Sequence, residues 1–398
     1  EDSVISGSNN TSELSKKNLI IGESNELTNS ENNIVSGLNN DISGNNNNNI
    51  SGENNVVLNA LSSIISGFNN IVKNVTKSII FGELNEINKD GTTGPSIGVS
   101  VSGKSNKIMG SRYSSIFGQN HTVTDTDESI IGGDNVTSNT VEQSIILGNN
   151  ISVGNSKLNN ITGKSHVINT SNQSIVSGSS NNLTTGNNNS IFGSNNIINK
   201  DDNSVILGSQ NQVTDSCNNS VFGESNIIND LSNSMIAGSS NNITNVINTL
   251  SSGVGNTLLN VNESIISSQM NVVKNSKSAL VFGDRNKVED VSGSIIMGKE
   301  NDVSGNTNYS TILGLKNTEK QGNNNLILGR ENNSTNQEQS IMSGKENVSS
   351  NGKNSIISGL ENTIVDTNNS IISGDTNTLD TVNDTLVIGK EQQLTTIN

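Results

Sequence analysis

Tryptophan is absent from this chain of 398 residues, cysteine and proline occur once each, and aromatic residues make up only 2%. Each shortage removes a class of protein. The one thiol, Cys217, cannot close a disulfide within the chain, so no disulfide framework stands in for a core. No apolar run approaches the roughly 20 residues of a membrane-spanning helix. Basic residues are scarce as well: 22 Lys and Arg against 37 Asp and Glu leave a formal charge of -15, and the cationic clusters that neutralise nucleic-acid phosphates are missing. Such an acidic, polar surface suits a secreted, soluble object. Two histidines, one cysteine and no local pairing of serine or carboxylate with histidine give catalysis little to work with. The expectation is a protein that is not an enzyme and holds no cofactor.

What the chain does contain is Asn, Ser and Gly, with hydrophobic residues at 29%. Composition alone would place it among disordered, low-complexity sequences. Periodicity overturns that reading. A phrase close to Ser-Ile-Ile-x-Gly-x-x-Asn-x-Ile returns every fifteen residues, its glycine falling at Gly7, Gly22, Gly37 and on to Gly82, then from Gly103 to Gly253. After Ser268 takes the glycine position once, the phrase continues at Gly283 and Gly298, then from Gly314 to Gly389, making 26 rungs. Two residues before the glycine, 25 of the 26 rungs carry an apolar residue, and only Ser251 departs. A fixed short period held along a whole chain marks a solenoid, read here as one domain over residues 1–398.

Within a rung, Ser-Ile-Ile-x is a short β-branched run ended by glycine, and a second short run surrounds the apolar residue five places later. Two strands and two turns fit in fifteen residues. Three places after the glycine stands Asn in 21 rungs, with His121, Val136, Ile151, His166 and Gln392 as the exceptions. Asn tolerates left-handed backbone at turns, and stacked copies form an amide ladder. Around the glycine, volumes trade: Ser115 goes with Phe117, Ser190 with Phe192, whereas Ile64 goes with Ser66 and Ile371 with Ser373. Side chains two apart that compensate in size share one face of a strand, and the Ile between them points to the other. Both faces of the first strand are therefore apolar, and the second needs a cover. With no other element in the chain, the simplest cover is another copy of it.

The phrase resembles the YadA-like head repeat of trimeric autotransporter adhesins, with Ser144-Ile145-Ile146-Leu147-Gly148 and Ser204-Val205-Ile206-Leu207-Gly208 as the nearest instances. The chain departs by placing Ile or Val where the family has Ala, by using Asn where it has Ala or Ser, and by a slightly longer period. The Asn- and Ile-rich version is also similar to CEACAM-binding, CbpF-type members. The resemblance implies an all-β fold, a parallel left-handed β-roll wound as a homotrimer. It also implies display at a bacterial surface, anchored to the outer membrane through a stalk and barrel outside this segment. The implied function is an adhesin head that binds a host surface protein, a CEACAM-type receptor or a matrix protein. The alternatives are a structural spacer and a segment of an appendage or phage fibre.

Departures from the repeat are the candidate binding positions. Six extra residues fall near residues 88–99, between Gly82 and Gly103, giving Thr92, Thr93 and Pro95, with Arg112 and Tyr113 soon after. One extra residue falls between Gly298 and Gly314. The position after the glycine is usually polar, yet Leu38 and Phe68 occupy it two rungs apart, as an apolar pair that could anchor a protein partner. His121 and His166 share a phase three rungs apart, about 14 Å at the spacing of stacked strands, too far to share one metal ion. No metal is expected.

Overall fold

The structure is a computed structural model, which describes residues 2–88, 94–289, 291–305 and 308–397. The chain divides into two compact units, Glu1–Asn199 and Lys200–Asn398. Both are parallel β-solenoids, with no helix among the described residues. In the first unit thirteen five-residue strands, from Val4–Ser8 to Ser190–Ser194, pair in parallel with every glycine of the repeat phase opposite another. Thirteen more, from Val205–Ser209 to Leu386–Lys390, do the same in the second unit, with Ser268 standing in one glycine's place. A second series of strands of uneven length, Thr11–Glu13 with three residues and Val56–Leu61 with six among them, stacks alongside.

A rung turns three times rather than twice. Left-handed backbone recurs two, seven and ten residues after the glycine, as at Ser24, Asn29 and Asn32, with φ between 50° and 56°. These positions carry Asn far more often than any other residue, followed by Ser and Glu, and Asn is the side-chain-bearing residue that best tolerates this conformation. The Asn three residues after the glycine is not among them. It is the residue after the first corner, and it is buried. Its conservation of phase comes from its side chain and not from its backbone.

Five columns of side chains point inward. Two were visible as apolar phases: Ile20, Val35, Ile50 and Ile65 two before the glycine, and Leu27, Ile42, Val57 and Val72 five after it, all essentially inaccessible. The amide ladder is the third. Asn40 Nδ2 donates to Asn25 Oδ1 at 2.8 Å and to the Gly52 carbonyl at 3.0 Å, and Asn55 repeats both bonds one rung up at 3.0 Å each. Eight and eleven residues after the glycine lie two further columns, the first mixing polar residues with aliphatics such as Val75, Val141 and Leu231, the last mostly Ser and Asn, such as Ser129, Ser144 and Asn159. There each hydroxyl accepts from the next rung's backbone, Ser129 Oγ from Ser144 N at 3.1 Å and Ser144 Oγ from Asn159 N at 3.0 Å. Most buried polar groups are thus paired along the stack, as a low-dielectric interior demands, with Ser276 Oγ and Thr367 Oγ1 among the exceptions.

Glycine is held at its phase by the neighbouring rung. At Gly223 φ is +125°, and a Cβ there would stand 1.8 Å from the Gly238 carbonyl oxygen. No side chain fits.

The repeat's two length departures enter at one corner, the second. In the first unit the extra residues fall between Asn88 and Ser96, which pairs with Val75. Asn88 stitches the gap: its Nδ2 donates to the Lys73 and Asn74 carbonyls at 3.2 and 3.1 Å, while its Oδ1 accepts from Ser96 Oγ at 3.1 Å and Gly110 N at 2.9 Å. In the second unit the extra residue falls between Ser304, which pairs with Lys320, and Asn308, which pairs with Ser292. Register is regained within the same rung.

Candidate functional site

The first strand's outer face stands open. Residues three and one before the glycine point outward, opposite the buried Ile, so Ile34 is 47% exposed and Phe117 45%. The size trade therefore operates on an uncovered surface of the single chain, where Phe117 lies over Gly132. Across the two outward columns, 26 rungs supply 52 positions, and none holds Asp, Glu, Lys or Arg, in a chain that is 15% charged. In each unit, an exposed face that runs rung after rung without a charge is unlike solvated protein surface.

Leu38 and Phe68 sit at the margin of that face, in one register column with Glu53 between them. Leu38 is half-buried and Phe68 39% exposed. Across the adjoining first corner runs a groove of about 500 Å³, lined by Val56, Ile71, Leu84 and Glu86 among others. Leu84 is 42% exposed and holds φ 57° at a corner position where neighbouring rungs use Asn or Ser. A leucine strained and exposed together is costly to keep, and such strain clusters at functional surfaces. Leu84, Val56 and Ile71 escaped the sequence reading, because their phases carry polar residues in most rungs. The deviation from the column was the available signal.

The remaining candidates disperse. Pro95 is exposed, whereas Thr92 and Thr93 lie outside the described residues. Arg112 reaches Asp127 at 3.7 Å across one rung. Tyr113, 66% exposed at the third corner, rests against Gly98 of the rung below. Tyr309 repeats this arrangement over Gly293, and sequence reading passed over it. In the second unit, the margin of the open face carries a chain of ion pairs. Arg285 meets Glu300 at 3.5 Å, Lys299 meets Glu300 at 3.7 Å, and Lys316 meets Glu300 at 3.9 Å. Exposed pairs of this kind add little stability singly.

Buried titratable groups belong to the stack. His121 and His166 replace Asn in the amide ladder: each Nε2 lies 3.0 Å from its own strand's carbonyl, of Phe117 or Thr162, and each Nδ1 accepts a backbone N–H at 3.2 Å, from Val136 or Asn181. That pattern requires the neutral ring with its proton on Nε2. Burial lowers both from the ordinary histidine value, opposed by the bonds to the Phe117 and Thr162 carbonyls. Val136 and Ile151, which share the ladder column, are buried too and offer nothing to a partner. In the second unit, burial pushes the Asp201 carboxyl up to about 7, partly offset by the Ser204 hydroxyl at 2.8 Å. Burial raises Glu319 likewise; its Oε1 accepts from Asn325 Nδ2 at 2.6 Å. Glu319 occupies an apolar column, and Gly322 leaves the space its carboxyl fills. No group of three or more His, Cys, Asp or Glu suited to a metal ion occurs among the described residues.

No protein-family model matches the chain, and no curated protein does. Among solved structures, an acetyltransferase from Desulfovibrio desulfuricans G20 aligns at 9% identity over 69% of this chain and 67% of its own, with a TM-score of 0.10. A likeness so slight carries no argument about fold or activity.

Proposed function

We propose that this chain is the head of a bacterial surface adhesin of the YadA-like, trimeric autotransporter kind, without catalytic activity of its own. Three copies would wind together as a left-handed roll and cover one another's open face. The observation that carries this reading is the charge-free outer face with its exposed Ile and Phe side chains. Roughly 40% of an isoleucine left in water corresponds to about 1 kcal/mol of unrealised burial, and the face repeats that cost rung after rung. Copies of the same chain match its rise and its composition. On this reading the receptor, a CEACAM-type or matrix protein at the host surface, meets the first-corner groove, with Phe68 and Leu84 as apolar anchors. Three copies multiply a modest affinity.

The test is binding of the immobilised chain to CEACAM ectodomains, collagen, fibronectin and laminin, beside the Phe68→Ser and Leu84→Asn variants. Asn suits the left-handed corner, so the second variant removes an anchor without weakening the fold. Binding to one of these proteins that drops about tenfold or more in each variant is expected, a change of ~1.4 kcal/mol per anchor. Binding to none of them would leave the chain a spacer or fibre segment.

A further inference from the structure

The third corner of each rung, ten residues after the glycine, is a column of exposed left-handed residues, mostly Asn, Gln, Ser and charged side chains. The chain's only two tyrosines, Tyr113 and Tyr309, both stand in it, with φ of 49° and 52°. The column's only two glycines, Gly98 and Gly293, stand one rung below them. The pairing is steric. A Cβ at Gly98 would lie 2.9 Å from Tyr113 Cδ1, and one at Gly293 would lie 2.6 Å from Tyr309 Cδ1. Each glycine makes the seat on which a ring rests, and the same two-residue device has arisen in both units. Each also adjoins a length departure of the repeat, the insertion that ends at Ser96 and the extra residue between Ser304 and Asn308.

A bulky aromatic in left-handed backbone is disfavoured, and a ring two-thirds exposed recovers little of that cost by burial, Tyr309 being 67% accessible. Core packing does not account for these residues. At Tyr309 a protein hot spot, which needs apolar companions around the anchor, does not account for the ring either: the flanking rungs offer Ser292, Asn308, Asn323 and Asn324, whereas Tyr113 has Ile97 nearby, paired with Arg112. Phosphate-bearing ligands are disfavoured by the charge of -15. A ring seated on a glycine and two-thirds exposed, with Ser292, Asn308 and Asn323 on the rungs around Tyr309 and the Arg112–Asp127 pair beside Tyr113, matches a ligand with one C–H-rich face and an equatorial rim of hydroxyls.

We infer that Tyr113 and Tyr309 are two carbohydrate-binding platforms, each taking the apolar face of a pyranose ring. The inference stands apart from self-association and from the receptor groove, because the third corner is neither the open face nor the first corner.

The chain has no tryptophan, so its ultraviolet emission comes from these two rings, and ligand binding can be read from them directly. Methyl β-D-glucopyranoside, lactose and N,N′-diacetylchitobiose would be titrated against the full chain, with saturation-transfer NMR on the sugar protons. Expected are a saturable change in tyrosine emission and transfer to the C–H face of at least one sugar. Transfer should persist in the Tyr113→Phe/Tyr309→Phe variant, which keeps the stacking surface. It should weaken by about tenfold or more, ~1.4 kcal/mol, in Tyr113→Asn/Tyr309→Asn, which installs the column's commonest residue and so preserves the fold. No response to any of the three sugars, or an equal response in the Asn variant, overturns the proposal. So does emission that answers only to a protein ectodomain.

Discussion

Replacing Asn70 by alanine tests the amide ladder most severely. Asn70 is fully buried and makes four bonds: its Nδ2 donates to Asn55 Oδ1 and to the Gly82 carbonyl, both at 2.9 Å, and its Oδ1 accepts from Asn85 N at 3.1 Å and Asn85 Nδ2 at 3.0 Å. Alanine deprives groups above and below it of partners where little water can replace them. Asn55 Oδ1 keeps the Asn70 N–H, and Asn85 Nδ2 keeps the Gly103 carbonyl. Chiefly the Gly82 carbonyl and the Asn85 N–H therefore lose a partner, and at about 1–3 kcal/mol for each the loss should total about 2–6 kcal/mol. Rungs in a solenoid are coupled chiefly to their neighbours, so the damage should be local. Amide hydrogen exchange resolves this, with the Asn85 N–H as reporter. A loss of about 2 kcal/mol or more accelerates exchange there by about 30-fold or more, while amides several rungs away stay within a few-fold of the parent. Asn70→His should cost far less, since His121 and His166 already serve in this column. Exchange at Asn85 within about threefold of the parent in Asn70→Ala, under ~1 kcal/mol, would refute the claim that the ladder holds the rungs together.

Buried acids and bases should give the two units opposite responses to pH. In the second unit Asp201 and Glu319 have raised folded-state values, so the stability they allow is fully present below the ordinary carboxylate range and is lost as pH rises through the folded value, about 7 for Asp201. Asp201→Asn and Glu319→Gln should each flatten that decline in denaturant titrations across the range, and an unchanged slope counts against a buried charge. In the first unit His121 and His166 have lowered values, so their contribution is present above the ordinary histidine range and lost as pH falls through the folded value. The His121→Asn/His166→Asn chain should resist mild acid better than the parent, read as exchange at the Val136 and Asn181 amides.

Much of the architecture is legible because each rung repeats one solution. The glycine phase follows from a carbonyl that leaves no room for Cβ, and the Ile phase from full burial. The Asn ladder was legible for its amides and misjudged for its backbone, since the left-handed residue is its predecessor, Ser24 before Asn25 or Asn39 before Asn40. Two inward columns went unread because Ser and Asn look like surface residues in a sequence; only stacking shows that Ser129 and Ser144 pair along the interior. The third corner was hidden for the same reason. Site residues were harder still. Phe68 announced itself by breaking a polar phase, but Leu84 needed the corner's backbone angle to become conspicuous, and Tyr309 needed Gly293, sixteen residues away, to be seen beneath it.

Self-association through the charge-free face is the claim on which the functional proposal rests, and sedimentation equilibrium of the chain examines it most directly. The account predicts a mass of three times 41.8 kDa, falling to one chain when Phe117 and Ile130, outward neighbours on adjacent rungs, are both changed to Lys while the β-rich circular dichroism spectrum is kept. A parent chain that sediments at 41.8 kDa at every concentration would contradict it.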